Sequence, residues 1–71
     1  MMNARELKAQ MILKGVSADQ LCKAVKISKA ALSRKTNGHS LFTQGEICAI
    51  RDALDLTDQQ ILRIFFDREV S

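Results

Sequence analysis

The 71-residue sequence has no proline, no tryptophan and no tyrosine, and its aromatics are three phenylalanines. It has one histidine, two cysteines and three glycines. Without proline, no position is barred from a helix interior. Strand-type alternation is hard to find, so the chain reads as all-α. Cys22 and Cys48 lack the spacing of a zinc site or a redox C-x-x-C pair, and read as small, semi-buried thiols of a reduced cytosolic protein. No Ser/His/Asp set, paired-carboxylate site, metal cluster or phosphate loop is visible. Neither catalysis nor a metal, cofactor or small-molecule ligand is therefore expected. No N-terminal stretch has a signal-peptide layout, and no apolar run approaches the ~18 residues of a membrane span. Those two absences predict a soluble cytoplasmic protein with no membrane partner.

What is present is a folding composition, with 46% of residues hydrophobic, too many for a disordered chain. The length suits one domain over residues 1–71 with a modest core. The net charge is +3, and it is unevenly placed. Lys14, Lys23, Lys26, Lys29, Arg34 and Lys35 face Asp19 alone across Lys14 to Gly38, a net of +5. From Thr43 to Ser71, three arginines meet six acids, a net of −3. A basic patch attracts polyanions, and an acidic remainder limits indiscriminate adhesion.

Helix punctuation divides the chain into five segments. Asn3 caps a first helix over Ala4 to Lys14, with Glu6 at the reciprocal position of a capping box and Gly15 as the stop. Ala4, Leu7, Met11 and Val16 supply its inward face. Ser17 and Gln20 form a second box, opening a helix that turns Leu21, Cys22 and Val25 inward. Ser28 caps a third helix over Lys29 to Thr36, anchored by Leu32 and ended by Asn37-Gly38, both tolerant of positive φ. His39 to Phe42 is a short loop, with Leu41 and Phe42 expected to tuck into the core. Thr43 and Glu46 open a fourth helix that runs to about Leu54, with Ile47, Ile50 and Leu54 on one stripe. Thr57 and Gln60 open a fifth through about Asp67, carrying Ile61, Leu62, Phe65 and Phe66. Since Phe65 and Phe66 are adjacent, one is expected in the core and the other free for a second copy of the chain.

The segment Ser17 to Gly38 has the layout of a helix-turn-helix: two short capped helices joined by Val25-Lys26-Ile27. Cys22 and Ala31 are slim enough for the two helices to touch, and Leu21, Val25, Ile27 and Leu32 lock the pair. With Leu32 inward, Ala30, Ser33, Arg34 and Asn37 form an outward stripe at i, i+3, i+4, i+7, with Lys29 at its leading end. Such a stripe suits the major groove of DNA. Arg34 can donate two bonds to guanine O6 and N7, and Lys29 can do so less rigidly. Ser33 can bond either base type, and the Ala30 methyl can touch a thymine methyl. Asn37, His39 and Ser40 are placed to meet phosphates, and the N-termini of the second and third helices offer backbone N–H groups to the same anion.

The segment resembles the helix-turn-helix of the Cro and repressor (XRE-type) family of phages and bacteria, whose pattern runs roughly T-Q-x-x-L-A-x-x-L-G-I-S-x-x-x-[LI]-x-R-x-x-N-G. Ser17, Leu21, Val25, Ile27, Ser28, Leu32, Arg34, Asn37 and Gly38 match it or replace its residues conservatively. FTQGEICAIRDALDL, from Phe42 to Leu56, extends the likeness through the later helices. This sequence departs from the pattern at Lys26, where the family has glycine, at Cys22 for alanine and at Ala18 for glutamine. The Lys35-Thr36 pair replaces an apolar residue, so one of the two must cover core with its aliphatic part. The resemblance implies a compact five-helix lambda-repressor-like domain. It implies base readers at Lys29, Ala30, Ser33 and Arg34. Phosphate contacts are expected at Ser17, Lys26, Ser28, Lys35, Asn37, His39 and Ser40. The partner implied is a near-palindromic double-stranded operator bound by a homodimer, with Leu62, Phe65 and Phe66 as the candidate subunit contact. A transcriptional regulator of phage or prophage type, acting at the nucleoid of a bacterial cell or infected host, follows as the expectation. The alternative is a protein-interaction module, an antirepressor or accessory subunit, that keeps the fold without specific DNA binding.

Overall fold

Capping decides where each helix begins. In a computed structural model describing residues 2–66, the side chains of Asn3, Ser17, Ser28, Thr43 and Thr57 each accept a bond from the backbone N–H three residues on. They open α1 (Ala4–Lys14), α2 (Ala18–Val25), α3 (Lys29–Thr36), α4 (Gln44–Leu54) and α5 (Asp58–Phe65). No strand occurs among the described residues, so the all-α expectation holds. Ser17–Gln20, Thr43–Glu46 and Thr57–Gln60 form reciprocal capping boxes as expected. Asn3–Glu6 is one-sided: Glu6 Oε1 accepts from Gln10 Nε2 rather than from the Asn3 N–H. The fifth helix is shorter than its sequence expectation, and Asp67 lies outside the described residues.

Left-handed residues end four of the helices. Gly15 (φ 68°) and Gly38 (φ 84°) supply two of these turns, and Lys26 (φ 64°) and Asp55 (φ 50°) the others. The expected stop at Asn37-Gly38 is refined, because Asn37 itself is right-handed at φ −87° and only Gly38 crosses over. At the ends of α1, α2 and α4 the next residue is Val16, Ile27 or Leu56. Each donates its N–H back into the final turn and packs on the core, the hydrophobic clasp of a Schellman cap. At the end of α3 that place belongs to the exposed His39, whose N–H bonds to the Arg34 carbonyl at 2.9 Å.

Leu7, Leu21, Ile50, Leu54 and Ile64 are fully buried, and burying such a side chain stabilises by about 1.5–3 kcal/mol. Cys22, Val25, Leu32, Leu56 and Phe65 complete the core. α4 is the central element, packed against α1, α2 and α5, while α1 also meets α5 and α2 meets α3. Ile64 is buried although the residues expected on the fifth helix were its neighbours. Gln10 is buried too, satisfied by its bond to Glu6. Of the loop pair expected to tuck inward, Phe42 does so, edge-on to Phe65 with centroids 5.4 Å apart. Leu41 does not: it is 88% exposed, and its carbonyl rather than its side chain serves the fold.

Candidate nucleic-acid interface

The interface is built on a helix that the core holds by one buried side chain. On α3 only Leu32 is buried. Ala31, Lys35 and Thr36 are half-buried, and Lys29, Ala30, Ser33 and Arg34 stand exposed, with Asn37 following them. The helical period thus places the four expected base readers on a single solvent face. Ser33 Oγ accepts from Asn37 Nδ2 at 3.4 Å, which leaves the hydroxyl proton free to donate outward. Arg34 meets no acid within ion-pair distance among the described residues, so its five donors remain available.

The turn that aims α3 contains Lys26 in the left-handed region, at φ 64° and ψ 44°. A glycine adopts this conformation freely, whereas a side chain there costs roughly 1 kcal/mol. In exchange the turn carries an exposed cation beside the start of α3. Ser17 and Ser28 are exposed caps whose Oγ atoms accept from Gln20 N (3.2 Å) and Ala31 N (3.0 Å). Their hydroxyl protons can still be donated to an anion. His39 and Ser40 lie exposed beyond the far end of α3.

Lys35 stands apart among the expected phosphate contacts, because its ammonium is engaged within the fold. Its Nζ lies 2.8 Å from Glu46 Oε1 and 3.1 Å from the Leu41 carbonyl, and 5.6 Å from the centroid of Phe42. The two ionised side chains are 15% and 16% exposed. Lys35 thus meets the expectation that this part of α3 covers core, and its charge is turned to α4 rather than outward. The Lys35 hydrogen bond, followed by the Thr43 N–H, holds the Glu46 carboxyl below its ordinary pKa.

Two features of the site escaped the sequence reading. One is the Lys35–Glu46 bridge, because Glu46 was already accounted for as a capping-box partner. The other is Asp19, whose Oδ1 lies 2.8 Å from Lys29 Nζ. An acid in the first turn of a helix is commonplace, so only its spacing to the opening residue of the next helix hinted at a pairing. The hydrogen bond to Asp19, and then its charge, raise the pKa of Lys29. Leu62 on α5 and Phe66 at its C-cap are 37% and 52% exposed, whereas Phe65 is in the core. A surface contact there would use the first two and not Phe65.

No group of metal-ligating side chains occurs among the described residues, and no helix there is long and apolar enough to cross a membrane. Comparison with curated proteins finds no match, and neither does comparison with solved structures. A family model described as the Cro/C1-type HTH DNA-binding domain matches residues 6–67, a span that includes α2, the turn, α3 and the helices packed around them. By that match, which covers most of its length and agrees with the five-helix architecture, the chain belongs to the Cro/C1-type helix-turn-helix DNA-binding family.

Proposed function

We propose that this protein is a sequence-specific transcriptional regulator, a phage or prophage repressor or Cro-like protein, that reads a near-palindromic operator as a homodimer. The observation that carries this reading is the exposed face of α3: Lys29, Ala30, Ser33 and Arg34 together, without a bulky aliphatic among them. In the major groove, the Arg34 fork bonds guanine O6 and N7, Ser33 donates to a base acceptor, and Ala30 lies against a thymine methyl. Lys29 reaches a base from the leading end of the helix. Ser17, Ser28, Lys26, Asn37, His39 and Ser40 meet the phosphates that fix the register. A single domain of this size contacts too few base pairs for high specificity, so two copies read half-sites about 34 Å apart. Leu62 on α5 and Phe66 just beyond its end are the exposed apolar side chains available for that pairing.

The test is selection of bound duplexes from a random pool, followed by titration of an enriched and a random duplex across salt concentrations. Enrichment of a near-palindrome, with affinity falling steeply as salt rises, is expected. Absence of binding at low salt, or binding indifferent to salt, would overturn this reading and leave the protein-interaction module as the alternative.

A further inference from the structure

Asp19 is the one acid between Lys14 and Gly38, and it occupies a position where a DNA-binding surface has reason to exclude negative charge. Its carboxylate stands in the first turn of α2 and holds the ammonium of Lys29, the opening residue of α3, at 2.8 Å. Neither side chain is buried, at 65% and 66% exposure, so the core does not need the pair. We infer that Asp19 is a positioning residue for DNA recognition: it aims Lys29 at a base and keeps it off the phosphates, trading overall affinity for discrimination. The inference rests on the DNA-reading function proposed above.

Two physical consequences of the ion pair support it. A free lysine has four rotatable side-chain bonds and a compact charge that follows the nearest phosphate. Bonded to Asp19, the Lys29 ammonium is held near the start of α3 and keeps two of its three protons for guanine O6 or N7. Ordering that precedes binding does not have to occur during it. The second consequence is electrostatic. Asp19 and Lys29 together carry no net charge, so Lys29 adds little to the sequence-independent attraction that every duplex exerts. Charge that steers the protein to any DNA remains on Lys26 and Arg34, which have no acid partner among the described residues.

The experiment compares the full chain with Asp19→Asn, Asp19→Glu, Lys29→Met and the Asp19→Asn/Lys29→Met double variant. Each is titrated with a selected duplex and a random duplex from 0.05 to about 0.3 M salt, a range over which phosphate contacts register strongly. Asp19→Asn releases Lys29 to a phosphate. Its log–log salt slope on random DNA should steepen by about 0.9, which at about 0.15 M salt tightens random binding roughly fivefold. Both duplexes gain that contact, so it cancels in the ratio of the two affinities. The ratio should fall by the lost base contact of the selected duplex alone, about fivefold or more. Asp19→Glu should restore the ratio, and in the Lys29→Met background Asp19→Asn should no longer change it. An unchanged ratio for Asp19→Asn, or an equal drop with and without Lys29, overturns the inference and leaves Asp19 a favourable charge in the first turn of α2. If the unsubstituted chain does not distinguish the two duplexes at all, the DNA-reading function fails first and the inference falls with it.

Discussion

Arg34 and Lys35 are adjacent cations on one short helix, and a rotation of about 100° per residue sends them to different neighbours. Arg34 faces solvent without an acid partner among the described residues, while Lys35 lies against Glu46, the Leu41 carbonyl and Phe42. Arg34→Ala should therefore weaken specific binding by roughly 1–3 kcal/mol and relax choice at one base position. Equal losses on selected and random duplexes would show that Arg34 meets only phosphate. For Lys35→Ala the loss is in stability. Removing it leaves Glu46 half-buried and unpaired, at about 1–3 kcal/mol, between the surface and buried limits. A lower urea midpoint with an unchanged DNA salt slope is expected. An unchanged midpoint with a shallower slope would return Lys35 to the phosphates. The same bridge sets a pH dependence. Lys35 and the Thr43 N–H depress the folded pKa of Glu46 below its ordinary value of 4.5. The unfolded chain then binds the proton more readily. Stability from this group is full above the unfolded pKa and is lost as pH falls through the folded one. Glu46→Gln should be less stable than the parent at pH near 7 and lose less on acidification below about 4.5. Urea midpoints across that range measure both effects, and an acid limb as steep as the parent's would place the sensitivity on other carboxylates.

At the scale of elements, what was legible in the sequence was local. Capping residues at Asn3, Ser17, Ser28, Thr43 and Thr57 announce each helix within its own first turn, so the starts and most of the ends could be read directly. Leu32 as the sole buried anchor of α3, and hence its outward stripe, followed from the helical period. What was not legible depended on contacts between elements. The inward turn of Lys35 requires Glu46, eleven residues away. The exposure of Leu41 follows from its carbonyl, which is needed at that same ammonium. Asp55 takes a left-handed turn that nothing in its type demanded. Lys26 was legible as a strained turn because the family pattern has glycine there, and the structure places it at φ 64°. Lys26→Gly should raise stability by roughly 1 kcal/mol, a gain of about 4–8 °C in Tm for a domain of this size. If Lys26 meets a phosphate, the same change weakens binding to every duplex evenly and makes the salt slope shallower by about 0.9. A Tm that does not rise would show that the left-handed turn is not strained for lysine in this setting.

For the whole molecule the limiting fact is size. The described residues extend 34 × 26 × 20 Å with a radius of gyration of 11.0 Å, so in the proposed reading each copy covers one of two half-sites about 34 Å apart. Its charge is divided, with a net of +5 on Lys14 to Gly38 and the acids Asp52, Asp55 and Asp58 on the α4–α5 side. The side opposite in charge also bears exposed apolar surface. Leu62 lines a groove of about 270 Å³ between α4 and α5, with Ile47, Cys48 and Ile61 on its walls. Phe66 follows at the end of α5, half exposed. A pairing of two copies through Leu62 and Phe66 has a testable signature, because linking two half-site contacts raises affinity by about 10²–10⁴-fold with no new contact to DNA. The double variant Leu62→Ser/Phe66→Ser should keep its fold by circular dichroism, since neither side chain is buried. It should lose about 10²-fold on the complete near-palindrome while binding an isolated half-site as the parent does. Sedimentation of the DNA complexes should find two copies on the complete site for the parent and fewer for the variant. Undiminished affinity for the complete site, with two copies still bound, would move the subunit contact away from α5.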